Sequence, residues 1–158
     1  MNRLLTVGCV GLVFACASMG GLAEETGVVT SRTALAVGQE ASSSVLDGVF
    51  TSAQARRGGQ LYNQNCVSCH GQDFKGDEMA PSIAGNDFIV FWTEVPVGSL
   101  FERIKVSMPA DDPGRLSDEE YTDVLAYLLD ASSYPSGESE LPADKAALDQ
   151  IMIVAPAE

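Results

Sequence analysis

The chain has 158 residues and is strongly acidic, with a formal net charge of −13 at pH 7. Nucleic acid and anionic lipid surfaces are therefore poor partners, because both would repel it. The length indicates one domain with additional chain. The acidity is explained either by solubility or by attraction to a partner protein with a basic docking face.

Residues 1–23 have the pattern of a secretory signal peptide that is removed. Arg3 gives the positive start, an apolar stretch follows, and Gly21-Leu22-Ala23 supplies small residues for cleavage. The apolar run is too short for a stable membrane span. A lipoprotein anchor at Cys16 fits less well, because Phe14 departs from the lipoprotein pattern. We therefore expect a periplasmic protein whose mature form does not span the membrane.

The rest of the chain divides into three parts. Residues 24–49 are rich in small and polar side chains without periodicity, which indicates a strap of low order. The domain proper covers residues 50–135, and Thr51 with Gln54 has the form of a capping box that opens its first helix. Residues 136–158 form a C-terminal extension with one short helix, over about 141–151, and a frayed end.

Two further helices are predicted within the domain. One lies within residues 93–108 and is ended by Pro109. The other starts at a second capping box, Ser117 to Glu120, and its apolar residues recur at helical spacing to about Ala131.

The motif Cys66-Val67-Ser68-Cys69-His70 is the attachment signature of a c-type haem. In this reading both thiols form thioethers with the porphyrin, and His70 ligates the iron. A zinc site would need two further cysteine or histidine ligands, but His70 is the only histidine and the other cysteines lie in the predicted signal peptide. A redox-active dithiol is the other reading of a bare C-x-x-C. One such motif predicts one covalently attached haem c, and export suits that chemistry.

The second axial ligand decides what such an iron can do. With no second histidine, a methionine thioether is the natural candidate. Met79 follows His70 too closely to reach the far side of the ring, and Met152 lies in the tail, where core packing is the simpler reading. Met108 stands further along the chain, next to Pro109, and is the predicted ligand.

Together these motifs resemble a class I monohaem cytochrome c over residues 50–135. The resemblance is carried by Gly58-x-x-x-Tyr62, Cys66-x-x-Cys69-His70, Ala80-Pro81-Ser82-Ile83, Met108-Pro109 and Val124-Leu125-Ala126-Tyr127-Leu128. It implies an all-α fold class, a small set of helices around one haem c, with the first and last helices crossing at Gly58 and Tyr62.

The same resemblance implies roles for residues near the haem. The Pro81 carbonyl would accept a hydrogen bond from the His70 ring N–H and so orient that ligand. Ile83 and Trp92 would belong to the haem environment. For Trp92 two readings stay open, an indole N–H bonded to a haem propionate or a core aromatic.

Three shorter segments carry a narrower resemblance. Gly48–Ser52, Ser99–Ile104 and Leu141–Asp144 are similar to segments of monohaem cytochromes that accompany, or are fused to, PQQ-dependent (quinoprotein) dehydrogenases. This implies a class of partner and no mechanism.

A haem held by His70 and Met108 predicts an electron-transfer protein, not an enzyme. The leading hypothesis is a periplasmic one-electron carrier that takes electrons from a donor such as a quinoprotein dehydrogenase and passes them to a downstream acceptor. The alternatives are a tightly bound cytochrome subunit of a dehydrogenase complex, or an open-site haem enzyme or gas sensor in which Met108 does not ligate iron.

Overall fold

Helices provide most of the regular structure in the part of the chain that the computed structural model describes, residues 43–78 and 80–156. They are α1 (Ser52–Asn65), α2 (Val67–His70), α3 (Asn86–Trp92), α4 (Val97–Ser107), α5 (Asp118–Ala131) and α6 (Lys145–Leu148). Two-residue strands β1 (Ser43–Ser44) and β2 (Ile151–Met152) pair in parallel, and a 3₁₀ helix covers Val45–Asp47. The all-α class is confirmed, while the predicted signal peptide lies outside the described residues.

Side-chain caps set the starts of the two longest helices. The Thr51 hydroxyl accepts a hydrogen bond from the Gln54 amide at the start of α1. At the start of α5, Ser117 and Glu120 form the complete predicted capping box. Gln54 does not complete the first box, because its buried side-chain amide bonds instead to the backbone of Leu141, at 2.8 Å and 3.2 Å.

Helices α1 and α5 cross at Gly58, as the resemblance implied. A Cβ atom at this position would collide with the carbonyl oxygen of Asp123 in α5. One turn later Tyr62 is buried, with its ring 5.5 Å from that of Tyr127 and 4.9 Å from that of Phe74. The absence of a side chain at Gly58 therefore fixes how closely the two helices approach.

An ion-pair network ties this crossing to the C-terminal extension. The Arg57 guanidinium donates to both carboxylate oxygens of Asp123 at 2.8 Å and to those of Glu140 at 3.0 Å and 2.9 Å. The hydrogen bonds to Asp123 and Glu140 raise the pKa of Arg57, and the bond from Arg57 lowers the pKa of Glu140. The network joins α1, α5 and the extension.

The two ends of the described chain are more ordered than the sequence predicted. Residues 43–49 of the expected low-order strap include β1 and the 3₁₀ helix, and Val45 is fully buried. The extension does not fray within the described residues, because Leu148, Ile151 and Ile153 are buried in the core. Its predicted helix shortens to the four residues of α6, which Asp144 caps.

Helix α3 is absent from the sequence-based expectations. It has only seven residues, and Phe88 is its one fully buried side chain, while Val90 and Phe91 are largely exposed. A short helix with an apolar outer side has no amphipathic pattern to reveal it. The helix predicted within residues 93–108 is α4, Val97–Ser107, with Pro96 at its N-cap.

None of the helices among the described residues is both long and apolar enough to cross a membrane.

We expect Gly58→Ala to lower the free energy of unfolding by about 2–3 kcal/mol, because the added methyl would force α1 and α5 apart. Gly59→Ala is the control. Its Cβ would lie 3.2 Å from the half-buried ring of Tyr127, which can shift, so a change within about 1 kcal/mol is expected. Chemical denaturation of both variants measures the difference, and equal values would contradict the close crossing.

Candidate haem site

Helix α2 presents the C-x-x-C-H motif as a single helical turn. The Cys66 amide bonds to the Tyr62 carbonyl at 2.8 Å, and the His70 amide bonds to the Cys66 carbonyl at 3.0 Å. The turn is therefore attached directly to the end of α1. His70 is buried, Cys66 is half-buried and Cys69 is exposed, so the two sulfurs stand at the edge of the structure and the imidazole inside it.

All seven residues predicted to hold or surround the haem line one cavity of about 1140 Å³, namely Cys66, Cys69, His70, Pro81, Ile83, Trp92 and Met108. Small-molecule pockets are commonly about 300–1,000 Å³, so this one is large for a domain of this size. Further apolar side chains from three helices complete the lining: Phe88, Leu100, Ile104, Val124 and Leu128. The structure thus brings the predicted residues together.

The His70 ring is oriented by a backbone contact. Its Nδ1 lies 3.2 Å from the carbonyl oxygen of Pro81, the partner that the resemblance implied. A ring in which Nδ1–H donates to a carbonyl keeps the lone pair of Nε2 available for a metal. The Gly76 amide bonds to the His70 carbonyl at 3.0 Å, which holds the following loop near the ring.

Met108 is fixed by its backbone at the end of α4. Its amide bonds to the Ile104 carbonyl at 2.8 Å, and its carbonyl accepts a 2.7 Å hydrogen bond from the Tyr121 hydroxyl. The same hydroxyl accepts from the Gly114 amide at 3.1 Å. Tyr121 was not predicted as a site residue from the sequence; the available signal was that a buried tyrosine hydroxyl needs a hydrogen-bond partner.

The cavity is apolar around the motif and basic at its rim. Burial raises the pKa of the Cys66 thiol to about 11. Arg115 also lines the cavity, bonded to Asp111 at 3.0 Å and to Asn65 at 2.9 Å. Arg103 is exposed at the rim, and its guanidinium makes no ion pair within the described residues. Neither arginine was singled out as a site residue from the sequence.

These residues fit haem c. Two thiols one helical turn apart suit two thioethers, and a buried imidazole with an available Nε2 and a methionine in the same cavity suit the iron. The apolar lining suits the porphyrin, and arginines suit its carboxylates. Trp92 is half-buried at the cavity wall, and its indole N–H makes no hydrogen bond within the described part of the chain.

Residues 53–128 match the family model described as cytochrome C oxidase, cbb3-type, subunit III. The chain carries a cytochrome c domain. The matched span contains the attachment motif and Met108, and a cytochrome c domain implies haem c as its cofactor.

The curated relatives are longer than this chain. The cytochrome bc1 complex cytochrome c subunits of Mycobacterium bovis and Mycobacterium tuberculosis are 32% identical to the chain over 134 residues. The alignment covers 84% of this chain and 42% of each relative, so this chain spans less than half of their length.

Among solved structures, the sulfane dehydrogenase SoxCD from Paracoccus pantotrophus is similar to this chain. The match covers 60% of this chain and 54% of the SoxCD chain, at 21% identity and a TM-score of 0.42. A similarity at this level carries no argument about function.

We expect Tyr121→Phe to lower the free energy of unfolding by about 1–2 kcal/mol, because the Met108 carbonyl and the Gly114 amide would both lose their partner. Tyr127→Phe is the matched control, since the Tyr127 hydroxyl makes no hydrogen bond within the described structure. Its effect should stay within about 0.5 kcal/mol. Denaturant titration of the two variants measures both free energies of unfolding. A larger loss of that free energy in Tyr127→Phe than in Tyr121→Phe would contradict this role of Tyr121.

Proposed function

We propose that the chain is a periplasmic one-electron carrier with a single, covalently attached haem c. The proposal rests on one observation: Cys66, Cys69, His70 and Met108 line the same cavity of a cytochrome c domain. Cys66 and Cys69 would form the two thioethers, while His70 through Nε2 and Met108 through its sulfur would ligate the iron. When bound, haem c supplies the reversible one-electron change of its iron.

The chain's own residues would keep both ligands in place. Pro81 orients the His70 ring, and Tyr121 holds the backbone of Met108. Because each ligand is fixed by a packed element, little structure needs to change when an electron arrives or leaves. A thioether ligand and an apolar pocket both favour the reduced iron and raise its reduction potential. The protein turns over no substrate in this proposal.

The donor is proposed to be a PQQ-dependent dehydrogenase, on the narrower sequence resemblance of segments such as Leu141–Asp144. The acidic chain would meet a partner with a basic docking face in a short-lived encounter. The curated relatives favour a second candidate, because they are named as subunits of a cytochrome bc1 complex. In that case the chain is a tightly bound cytochrome subunit of a larger redox complex.

Optical spectra of the oxidised haem protein test the ligand pair. We expect a low-spin spectrum with the methionine-sulfur charge-transfer band in the far red, lost in Met108→Ala because the iron loses its thioether. Met152→Ala is the control and should keep the band, since Met152 lies in β2, outside the cavity lining, and its pairing with Pro96 is through the backbone. A high-spin spectrum of the unaltered protein would reject Met108 as ligand and favour the open-site enzyme or sensor.

Purification from the native host at physiological salt separates the carrier from the subunit. A mobile carrier should elute from gel filtration as a free monomer, and its reduction by a purified PQQ-dependent dehydrogenase should slow as salt screens the charges. Elution with other redox proteins in fixed ratio would establish the subunit instead. Reduction that does not respond to salt would remove the electrostatic part of the proposal.

A further inference from the structure

We infer that the C-terminal extension, residues 136–156, positions Met108 by bracing helix α4. The inference rests on the proposed ligation by Met108. It concerns side chains that lie outside the cavity lining and makes them positioning residues for the distal ligand.

The extension first fixes the chain where it enters α4. The Ile153 amide bonds to the Val95 carbonyl at 3.0 Å, and the Glu94 amide bonds to the Ile153 carbonyl at 2.8 Å. Met152 forms an antiparallel bridge with Pro96, the N-cap of α4. The segment that leads into the helix is thus held by two backbone hydrogen bonds and one isolated β-bridge.

The extension then packs against the first turns of α4. Helix α6 lies on α4, and its Leu148 is fully buried. The approach is so close that a Cβ atom at Gly98 would collide with the Asp149 carboxylate and lie 2.9 Å from the Lys145 carbonyl oxygen. Lys145 bonds to Asp149 at 2.8 Å and lies 3.5 Å from Glu102 of α4.

The extension can act as a brace because it is anchored to other parts of the fold. Gln54 of α1 forms two hydrogen bonds with the Leu141 backbone, and Arg57 pairs with Glu140. The Tyr134 hydroxyl, just after α5, donates to the Val154 carbonyl at 3.0 Å. Because the extension is held at these points, α4 could move away from the core only by breaking its contacts with the extension.

Helix α4 transmits this restraint to the site. Leu100, Ile104 and Met108 follow one another at four-residue spacing, and all three line the cavity. An eleven-residue helix is about 16 Å long and moves largely as a rigid rod. Its position, fixed near Gly98 by the extension, therefore sets where Met108 stands.

The consequence is measurable through a competing ligand. Imidazole can bind the iron only after the Met108 sulfur has left it. The apparent affinity for imidazole therefore includes the free energy of moving Met108 and α4 away from the site. Weakening the brace lowers that free energy and raises the apparent affinity.

The test is imidazole titration of the oxidised haem protein, followed at the far-red band. Leu148→Ala, which removes the fully buried side chain of α6, the helix that lies on α4, should raise the apparent imidazole affinity at least about fivefold. Gly58→Ala is the control, because it is destabilised at the α1–α5 crossing instead. It should change the apparent imidazole affinity less than twofold. If either variant fails to fold, a milder pair is used: Ile153→Val in the C-terminal extension and Ala55→Gly in α1 as its control. We expect a smaller rise in the apparent imidazole affinity for Ile153→Val and none for Ala55→Gly.

Equal shifts in the brace and control variants would overturn the inference, because general destabilisation would then explain them. No shift in the brace variants would overturn it as well. The unaltered protein separates this failure from that of the proposed function. If its spectrum lacks the methionine-sulfur band, the ligation by Met108 is rejected first and the inference falls with it.

Discussion

The contact between Gly58 and the Asp123 carbonyl is the constraint on which the rest of this domain depends. It lets α1 and α5 pack backbone to backbone. The C-x-x-C-H turn follows directly from the end of α1, while α5 supplies the Tyr121 hydroxyl that holds Met108. One missing side chain therefore sets the spacing between the helix that leads into the attachment motif and the helix that carries Tyr121.

The sequence predicted the parts of the structure that local chemistry determines. The Ser117–Glu120 capping box follows from a local pattern of a few residues, and the choice of Met108 follows from its distance along the chain from His70, whereas the Gly58 crossing was implied by the resemblance to class I cytochromes c. The packing of the extension could not be predicted, because its partners are distant in sequence and leave no local pattern. Gln54 shows the limit: its position suits a capping box, but tertiary burial gives its amide to Leu141 instead.

The charge of the chain and the charge of its cavity differ in sign. The whole molecule is acidic, yet the cavity lining includes two arginines and one aspartate, Arg103, Arg115 and Asp111. Arg115 is already paired with Asp111, whereas Arg103 has no such partner among the described residues. Arginines at the cavity rim suit a cofactor that brings its own carboxylates. The negative charge of the outer surface would then govern encounters with other proteins.

The short parallel pairing of β1 with β2 also bears on how the molecule is made. Ser43 and Ser44 are among the first described residues, and their partners Ile151 and Met152 are among the last. During synthesis, roughly a hundred residues separate the appearance of the two strands, so this pairing can form only after residue 152 has been made. A chain cut short near position 150 would lose the second strand and leave the first without its hydrogen-bonding partner, so the order of residues 43–44 depends on residues 151–152.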